Sequence, residues 1–233
     1  NELAQNKYFQ IIAESNAAEE VGGDYYDIVE SQSGIFNFIV GDVSGKGTSA
    51  AFNMAQMKGI FHSTVLQNAK PSDFIMQANA ALGKCLEKSS FITASYFEIN
   101  TKTNTLSHVR AGHCPAIYYS QSTGKTTLLE NNGLGLGILR NSEYNEFVTE
   151  DSLTYQVGDI LLVYTDGITE ARNSENELYG TQGLNKSLQQ HIDKDAEEIK
   201  NALIADLKTF LNGLTLDDDY TLTVIKINAL NNG

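Results

Sequence analysis

Cysteines, basic residues and long apolar runs are all scarce in this chain. Only two of its 233 residues are cysteines, Cys85 and Cys114, set in unlike contexts with no C-x-x-C spacing. That excludes a disulfide framework and a cysteine-built zinc site, predicts two free thiols, and fits a reducing compartment such as the cytoplasm. Sixteen Lys and Arg stand against 29 Asp and Glu, a net charge of −13 with a pI near 4.6. So acidic a balance argues against nucleic acid or an anionic membrane as the main partner. Apolar residues nowhere run long enough to span a bilayer, and no charged-then-apolar leader opens the chain. The first residue is Asn1 rather than Met, which suggests a domain excised from a longer protein.

What is present suffices for a folded enzyme. With 41% hydrophobic residues, a chain of this length can bury a substantial core. Period-two apolar patterns predict strands at Tyr8 to Ala13, Tyr25 to Val29 and Ile35 to Val40, the last apolar enough to be buried on both faces. Beyond Gly47 the period changes. Ala50, Met54, Met57, Phe61 and Val65 form one helical stripe, and Phe74, Ile75, Ala78, Leu82 and Leu86 another, with Ser72 as the expected N-cap. The two helices are placed at about Thr48 to Ala69 and Ser72 to Lys88.

An antiparallel meander is expected next, over Ile92 to Ile99, Thr105 to Arg110 and Ala116 to Ser120. A glycine-spaced loop, Asn131 to Gly137, follows, whose alternate leucines plug against the sheet. Strands near Asn145 to Thr149 and at Ile160 to Tyr164, helices at Gln182 to Ile192 and Ala196 to Leu211, and an alternating strand at Tyr220 to Ile227 complete the pattern. Strands outnumber helices and mostly meander, so the expected fold is α+β, with packed antiparallel sheets and helices outside. No repeat or linker appears, and residues 1–233 read as one domain with a short Asn-rich tail.

Four aspartates share one local grammar. Asp24 follows Gly-Gly, Asp42 and Asp166 end apolar strands, and Asp218 sits in an acidic turn before the last strand. The first hairpin would bring Asp24 near Asp42. Two carboxylates about 4 Å apart repel by roughly 4 kcal/mol at an effective dielectric of 20, so a cluster of four needs protons or cations. Carboxylate oxygens suit Mg²⁺ or Mn²⁺, and no His/Cys cluster competes for a softer metal. Singly, each aspartate is better read as a turn residue or a solvated acid; together they read as a metal site.

Other motif readings are weaker. Gly41-Asp42-Val43-Ser44-Gly45-Lys46-Gly47 superficially matches a phosphate-binding loop, but Lys46 is followed by Gly47 rather than Ser or Thr. Gly22-Gly23-Asp24-Tyr25-Tyr26 only partly matches the Gly-Gly-Asp-Glu-Phe signature of cyclic-dinucleotide synthases, because Tyr25 replaces the glutamate. His113, in Ala-Gly-His-Cys-Pro, is read as a structural hydrogen-bonder. His62, His108 and His191 lack an acidic or cysteine companion at ligand spacing.

Five ordered motifs resemble one family. These are Val21 to Asp27, Gly41 to Gly47, Ala111 to Pro115, Tyr164-Thr165-Asp166-Gly167-Ile168-Thr169-Glu170-Ala171, and Asp218-Asp219-Tyr220-Thr221. Together they look like the metal-dependent serine/threonine phosphatases (PPM type), in the bacterial branch that regulates sporulation and stress sigma factors, over about Ala13 to Ile227. The resemblance implies a central β-sandwich of two antiparallel sheets between helical layers and two Mn²⁺ or Mg²⁺ ions. It further implies that Asp42 bridges the ions as the principal catalytic carboxylate, with the Val43 carbonyl and Asp24 on one ion and Asp166, also catalytic, and Asp218 on the other. Asp219 is implied as an outer support or a ligand for a further ion, while Asp27 and Gly167 shape the site.

By the same resemblance, the paired ions activate a water for in-line attack on a phosphoserine of a small anti-anti-sigma-type protein. An upstream sensor or activator, and a homodimer, are implied as partners, with the two helices after the glycine turn acting as a switch. The chain departs from eukaryotic members at Ser44, where they carry a histidine, and by lacking an arginine near Glu14 to Asn16. The rival functions are a silent phosphoprotein-binding relative and a metal-dependent nucleotidyl-transfer enzyme; retention of all four aspartates counts against the first.

Overall fold

A computed structural model describes residues 6–18, 22–67 and 69–231, so Val21, Asn68 and the end of the tail lie outside the described residues. Within them, ten strands form two five-stranded antiparallel sheets. One sheet holds β2 (Tyr25–Gln32), β3 (Ile35–Val43), β4 (Ile92–Asn100), β5 (Thr105–Ala111) and β8 (Glu150–Thr154), in that spatial order. The other runs β1 (Phe9–Asn16), β10 (Tyr220–Ile227), β9 (Ile160–Tyr164), β6 (Ala116–Ser120) and β7 (Lys125–Leu129). Helices α1 (Gly47–Thr64) and α2 (Pro71–Cys85) cover the first sheet. The second is covered by α4 (Gly180–His191) and α5 (Ala196–Leu211).

The core has three layers, as an α-β-β-α sandwich requires. Phe9, Phe38, Phe97, Leu161 and Ile225 fill the space between the sheets. Met57, Phe61, Phe74 and Tyr96 pack beneath α1 and α2, with Phe74 stacked on Tyr96 at 4.2 Å. Leu162, Leu184, Leu203, Leu207 and Leu222 pack beneath α4 and α5. Burial of these apolar faces is the main driving term for the fold. The helix α5 keeps its predicted ends because both are specified locally. Asp195 accepts from the Glu198 N–H at 2.8 Å while Glu198 reaches back to the Asp195 N–H, and Asn212 closes the helix in the left-handed conformation.

Several local expectations are corrected. The meander breaks after β5: through Gly112 to Pro115 the chain crosses to the other sheet, where β6 pairs with β7 and β9. The strand expected near Asn145 is a short 3-10 turn, Ser142–Phe147, and the pairing strand β8 begins only at Glu150. Its apolar content misled because Tyr144 is buried as an anchor under α2 rather than as one side of a pleat. Pro71, not Ser72, opens α2, since its missing N–H costs nothing in the first turn; the Ser72 N–H donates to Glu150 at 3.0 Å. The alternation read in β10 is chemical only, because a central strand between β1 and β9 is buried on both faces, Thr221 and Thr223 included. Both cysteines are free, and no helix is long and apolar enough to cross a membrane among the described residues.

Candidate active site

The β2–β3 hairpin sets the first two carboxylates. Tyr25 pairs with Gly41, so Asp24, one residue before β2, comes up beside Asp42, the penultimate residue of β3. From the other sheet, β9 ends at Tyr164 and Asp166 opens the single turn α3 (Asp166–Thr169). The neighbouring strand β10 begins just after Asp218 and Asp219. One end of the sandwich therefore collects four chain segments that are remote in sequence.

Electrostatics report how closely they meet. Burial raises the Asp42 carboxyl to about 7, and the negative charges of Asp24, Asp166, Asp218 and Asp219 push it the same way. Asp24 is raised to about 6, again first by burial, with Asp219 and Asp166 adding to it and hydrogen bonds from Thr165 and Thr221 opposing it. Asp166 is raised by burial and by Glu170 and Asp218. Each of the four predicted carboxylates thus acts on at least one of the others.

Their contacts differ. Asp24 Oδ2 accepts from the Thr165 hydroxyl at 2.8 Å, and the Thr165 hydroxyl accepts from the Thr221 N–H at 2.8 Å, so one threonine ties β10 to the loop before β2. Both Asp219 oxygens clamp the segment leading to Asp24, accepting from the Ala18 N–H at 2.8 Å and the Gly23 N–H at 2.7 Å. Asp218 is half-exposed and pairs with Lys46 at 3.0 Å, while Lys46 also donates to the Asp217 carbonyl at 3.0 Å. The glycine turn is therefore tethered to the acidic turn by a lysine. Ser44 is held on Phe91 twice: its N–H donates to the Phe91 carbonyl at 3.0 Å and its hydroxyl accepts from the Phe91 N–H at 2.9 Å.

Asp27 has other partners. It is buried against α1, within 2.8 Å of His62 Nε2, 3.1 Å of the Tyr25 hydroxyl and 3.9 Å of Lys58 Nζ. His62, expected to lack an acidic companion, finds one only through the packing of α1 on β2; His191 likewise lies 3.5 Å from Asp206. His113 is buried with Nδ1 2.9 Å from the Thr93 hydroxyl, the structural role expected of it.

Two glycines are required by space. A Cβ on Gly23 would stand 2.9 Å from the Val43 carbonyl oxygen, and one on Gly167 only 1.9 Å from the Asp219 carbonyl oxygen. The first leaves the Val43 oxygen open on its Gly23 side. The second lets α3 lie directly on the acidic turn.

Among the described residues, no group of three or more His, Cys, Asp or Glu side chains is drawn together closely enough to hold an ion as it stands. The chemistry of the donors nevertheless suits a hard divalent cation. They are all oxygens, their carboxyls are destabilised by one another, and a carbonyl lies in a cradle that any Cβ would fill.

A stability prediction follows from the raised carboxyls. Folded Asp24 and Asp42 bind protons at pH 5 to 6 that the unfolded chain, with carboxyls near 4, has released. Unfolding therefore becomes easier as pH rises from about 4 through 7, by several kcal/mol. Thermal melts of chelator-treated protein should fall across that window, and millimolar Mn²⁺ should flatten the slope. A melting temperature that rises steadily from pH 4 to 7 without metal would contradict the arrangement.

Two stacked antiparallel sheets carrying helices on both outer faces, with acidic loops gathered at one end, define the class as PP2C-type phosphatase folds. The family model described as Stage II sporulation protein E (SpoIIE) matches residues 32–228. The chain belongs to that family. The phosphoserine phosphatase RsbU of Bacillus subtilis (strain 168) is 32% identical over 225 residues, covering 96% of this chain and 65% of RsbU. The structure of the RsbU and RsbW domains of Rv1364c from Mycobacterium tuberculosis superposes with a TM-score of 0.80 at 23% identity, covering 97% of this chain and 61% of that one. RsbX, solved in complex with magnesium, gives a TM-score of 0.71 at 18% identity, with 97% of this chain and 98% of RsbX covered. The chain thus spans slightly less than two thirds of the length of the first two relatives.

Proposed function

We propose that this chain is a metal-dependent phosphatase that hydrolyses phosphoserine on a small regulatory protein of the anti-anti-sigma type. The observation that carries the reading is the convergence of Asp24, Asp42, Asp166 and Asp218, from four separate segments, into one mutually repelling set. Family membership supports it, as does the 32% identity to a protein named a phosphoserine phosphatase.

Two Mn²⁺ or Mg²⁺ ions are the proposed cofactors, in keeping with the magnesium bound by RsbX. Asp24, Asp42, the Val43 carbonyl, Asp166 and Asp218 would hold them, with Asp42 the central ligand. Bound there, the ions would supply an activated water and neutralise charge on the phosphoryl oxygens.

The chain's own residues prepare that site. Thr165 fixes the carboxylate of Asp24 and, through Thr221, joins it to the strand that follows Asp218. Asp219, which holds the backbone before Asp24, would support the site from outside rather than bind an ion, and Gly167 admits the acidic turn. Lys46 draws that turn toward the glycine loop and places a positive charge at the mouth. Asp27 acts at one remove, holding α1 to β2 through His62. In the whole protein, one domain of which this chain forms, an upstream sensor would act on α1 and α2, and pairing of two chains and residence in the cytoplasm belong to the same reading.

The test is direct. Chelator-treated protein should not cleave p-nitrophenyl phosphate or a phosphoserine protein, Mn²⁺ should restore both activities, and nucleoside triphosphates should not be consumed. Restored turnover of nucleoside triphosphates alone would replace the reading with nucleotidyl transfer.

A further inference from the structure

A groove of about 580 Å³ opens beside the acidic turn, between the end of edge strand β1 and the C-terminal half of α5. Leu207, Leu211, Leu214 and Leu216 line it, and Lys208 and Asp218 are among its polar residues. Its volume lies within the range of ligand-binding clefts. Asp218 is also part of a smaller cleft of about 230 Å³ that contains Lys46 and Gly167, so the groove is continuous with the candidate active site.

Three features distinguish it from a mere surface irregularity. Leu214 is 48% exposed although it stands next to the buried Leu207 and Leu211, so among the described residues its apolar side chain is left uncovered at the groove. Lys200, on the same helix, is committed to Glu14 at 2.9 Å, whereas exposed Lys208 feels Glu14 only at longer range and offers its charge to the groove. β1 forms the outer edge of its sheet, so an extended chain can lie alongside the groove without displacing a strand.

We propose that this groove receives the polypeptide flanking the phosphoserine of the substrate, taking a leucine-like side chain on the four leucines and an acidic side chain at Lys208. The proposal rests on the phosphatase reading for its direction, because a phosphoserine seated among the aspartates would send its chain past Asp218. An acidic flank is favoured at one point of the groove: of its charged residues, Glu14 is paired with Lys200 and Asp218 with Lys46, which leaves the Lys208 charge to meet a ligand carboxylate. The groove would thereby separate a cognate phosphoprotein from other phosphate esters, with the metal site doing the same chemistry on each.

The experiment uses synthetic phosphoserine nonapeptides with leucine, aspartate or glycine at each flanking position, alongside p-nitrophenyl phosphate. Peptide binding is also read by fluorescence anisotropy, which reports the groove whether or not the ester is cleaved. Leucine at one flanking position should strengthen binding and raise kcat/KM by about tenfold over glycine. Leu214→Glu should abolish that preference, and Lys208→Glu should abolish or invert the preference for aspartate. Both variants should cleave p-nitrophenyl phosphate within about twofold of the parent, since neither residue is among the proposed metal ligands. Equal affinity for leucine and glycine peptides, or a leucine preference that survives Leu214→Glu, would overturn the groove assignment. Selective, Leu214-dependent binding without metal-dependent cleavage of any ester would sustain the groove and overturn the phosphatase reading instead. Concentration-dependent pairing of the parent that Leu214→Glu abolishes, with no peptide bound, would assign the face to a second copy and likewise overturn the proposal.

Discussion

Asp42→Asn is expected to lower metal-dependent hydrolysis of p-nitrophenyl phosphate by about a thousandfold or more, with the fold intact. The amide has nearly the same shape as the carboxyl, so packing at the end of β3 should survive. What disappears is the charge at the position on which Asp24, Asp166, Asp218 and Asp219 all act. Without metal, the same substitution should leave the protein as stable as the parent or more stable at pH 7, because it removes a repelling carboxylate from a buried cluster. With Mn²⁺ the order should reverse, the parent gaining a melting-temperature increase that the variant lacks. This opposed pair of stability changes separates loss of a ligand from general damage. Undiminished hydrolysis in the variant, or an equal Mn²⁺-dependent rise in melting temperature, would remove Asp42 from the site.

Gly167→Ala should be strongly destabilising, because the added methyl meets backbone at the acidic turn. Its Cβ would lie 1.9 Å from the Asp219 carbonyl oxygen and 2.9 Å from the carbonyl carbon. Both atoms are backbone, so no side-chain rotation relieves the overlap; either α3 or the Asp217-Asp218-Asp219 turn must shift. Overpacking of this kind costs about 2–4 kcal/mol, a fall in melting temperature of roughly 5–15 °C for a domain of this size. The shift would also move Asp166 against Asp218, so Mn²⁺ should be needed at a higher concentration for half-maximal activity. Gly59→Ala in α1, where an added Cβ meets nothing within 4 Å, serves as the control and should be neutral or slightly stabilising. A Gly167→Ala protein with the parental melting temperature and Mn²⁺ requirement would show that the turn yields freely.

The elements most legible in the sequence were those whose signals are local. Helix α5 carries its own capping box at Asp195 and Glu198 and a continuous apolar stripe, and its expected bounds coincide with those observed. β3, β6, β9 and β10 could be read because their apolar or β-branched runs are bounded by turn residues. The region from Ala111 to Thr154 was read less well. Sequence spacing there does not reveal that β6 crosses to the second sheet or that Lys125–Leu129, with little buried surface, pairs as its edge strand. Nor could periodicity distinguish a 3-10 turn anchored by Tyr144 from a short strand.

The sequence by itself determined which residues could form the site. Asp24, Asp42, Asp166 and Asp218 each sit beside glycine, at a strand end or in an acidic turn, and those settings are properties of a few consecutive residues. It also determined the sandwich class, because alternating and fully apolar runs fix how many faces each strand can bury. Only the tertiary structure decided how the site is held. The Thr165 hydroxyl on Asp24 spans 141 positions, the Asp219 clamp on Gly23 spans 196, and the Lys46 contact with the Asp217 carbonyl spans 171. The steric demand for glycine at 23 and 167, and the leucine groove beside Asp218, likewise arise where separate segments meet. A side chain's local pattern limits the conformations its own segment can take, but which remote backbone lies a hydrogen bond away is set by how both sheets and their helices bury their apolar faces together.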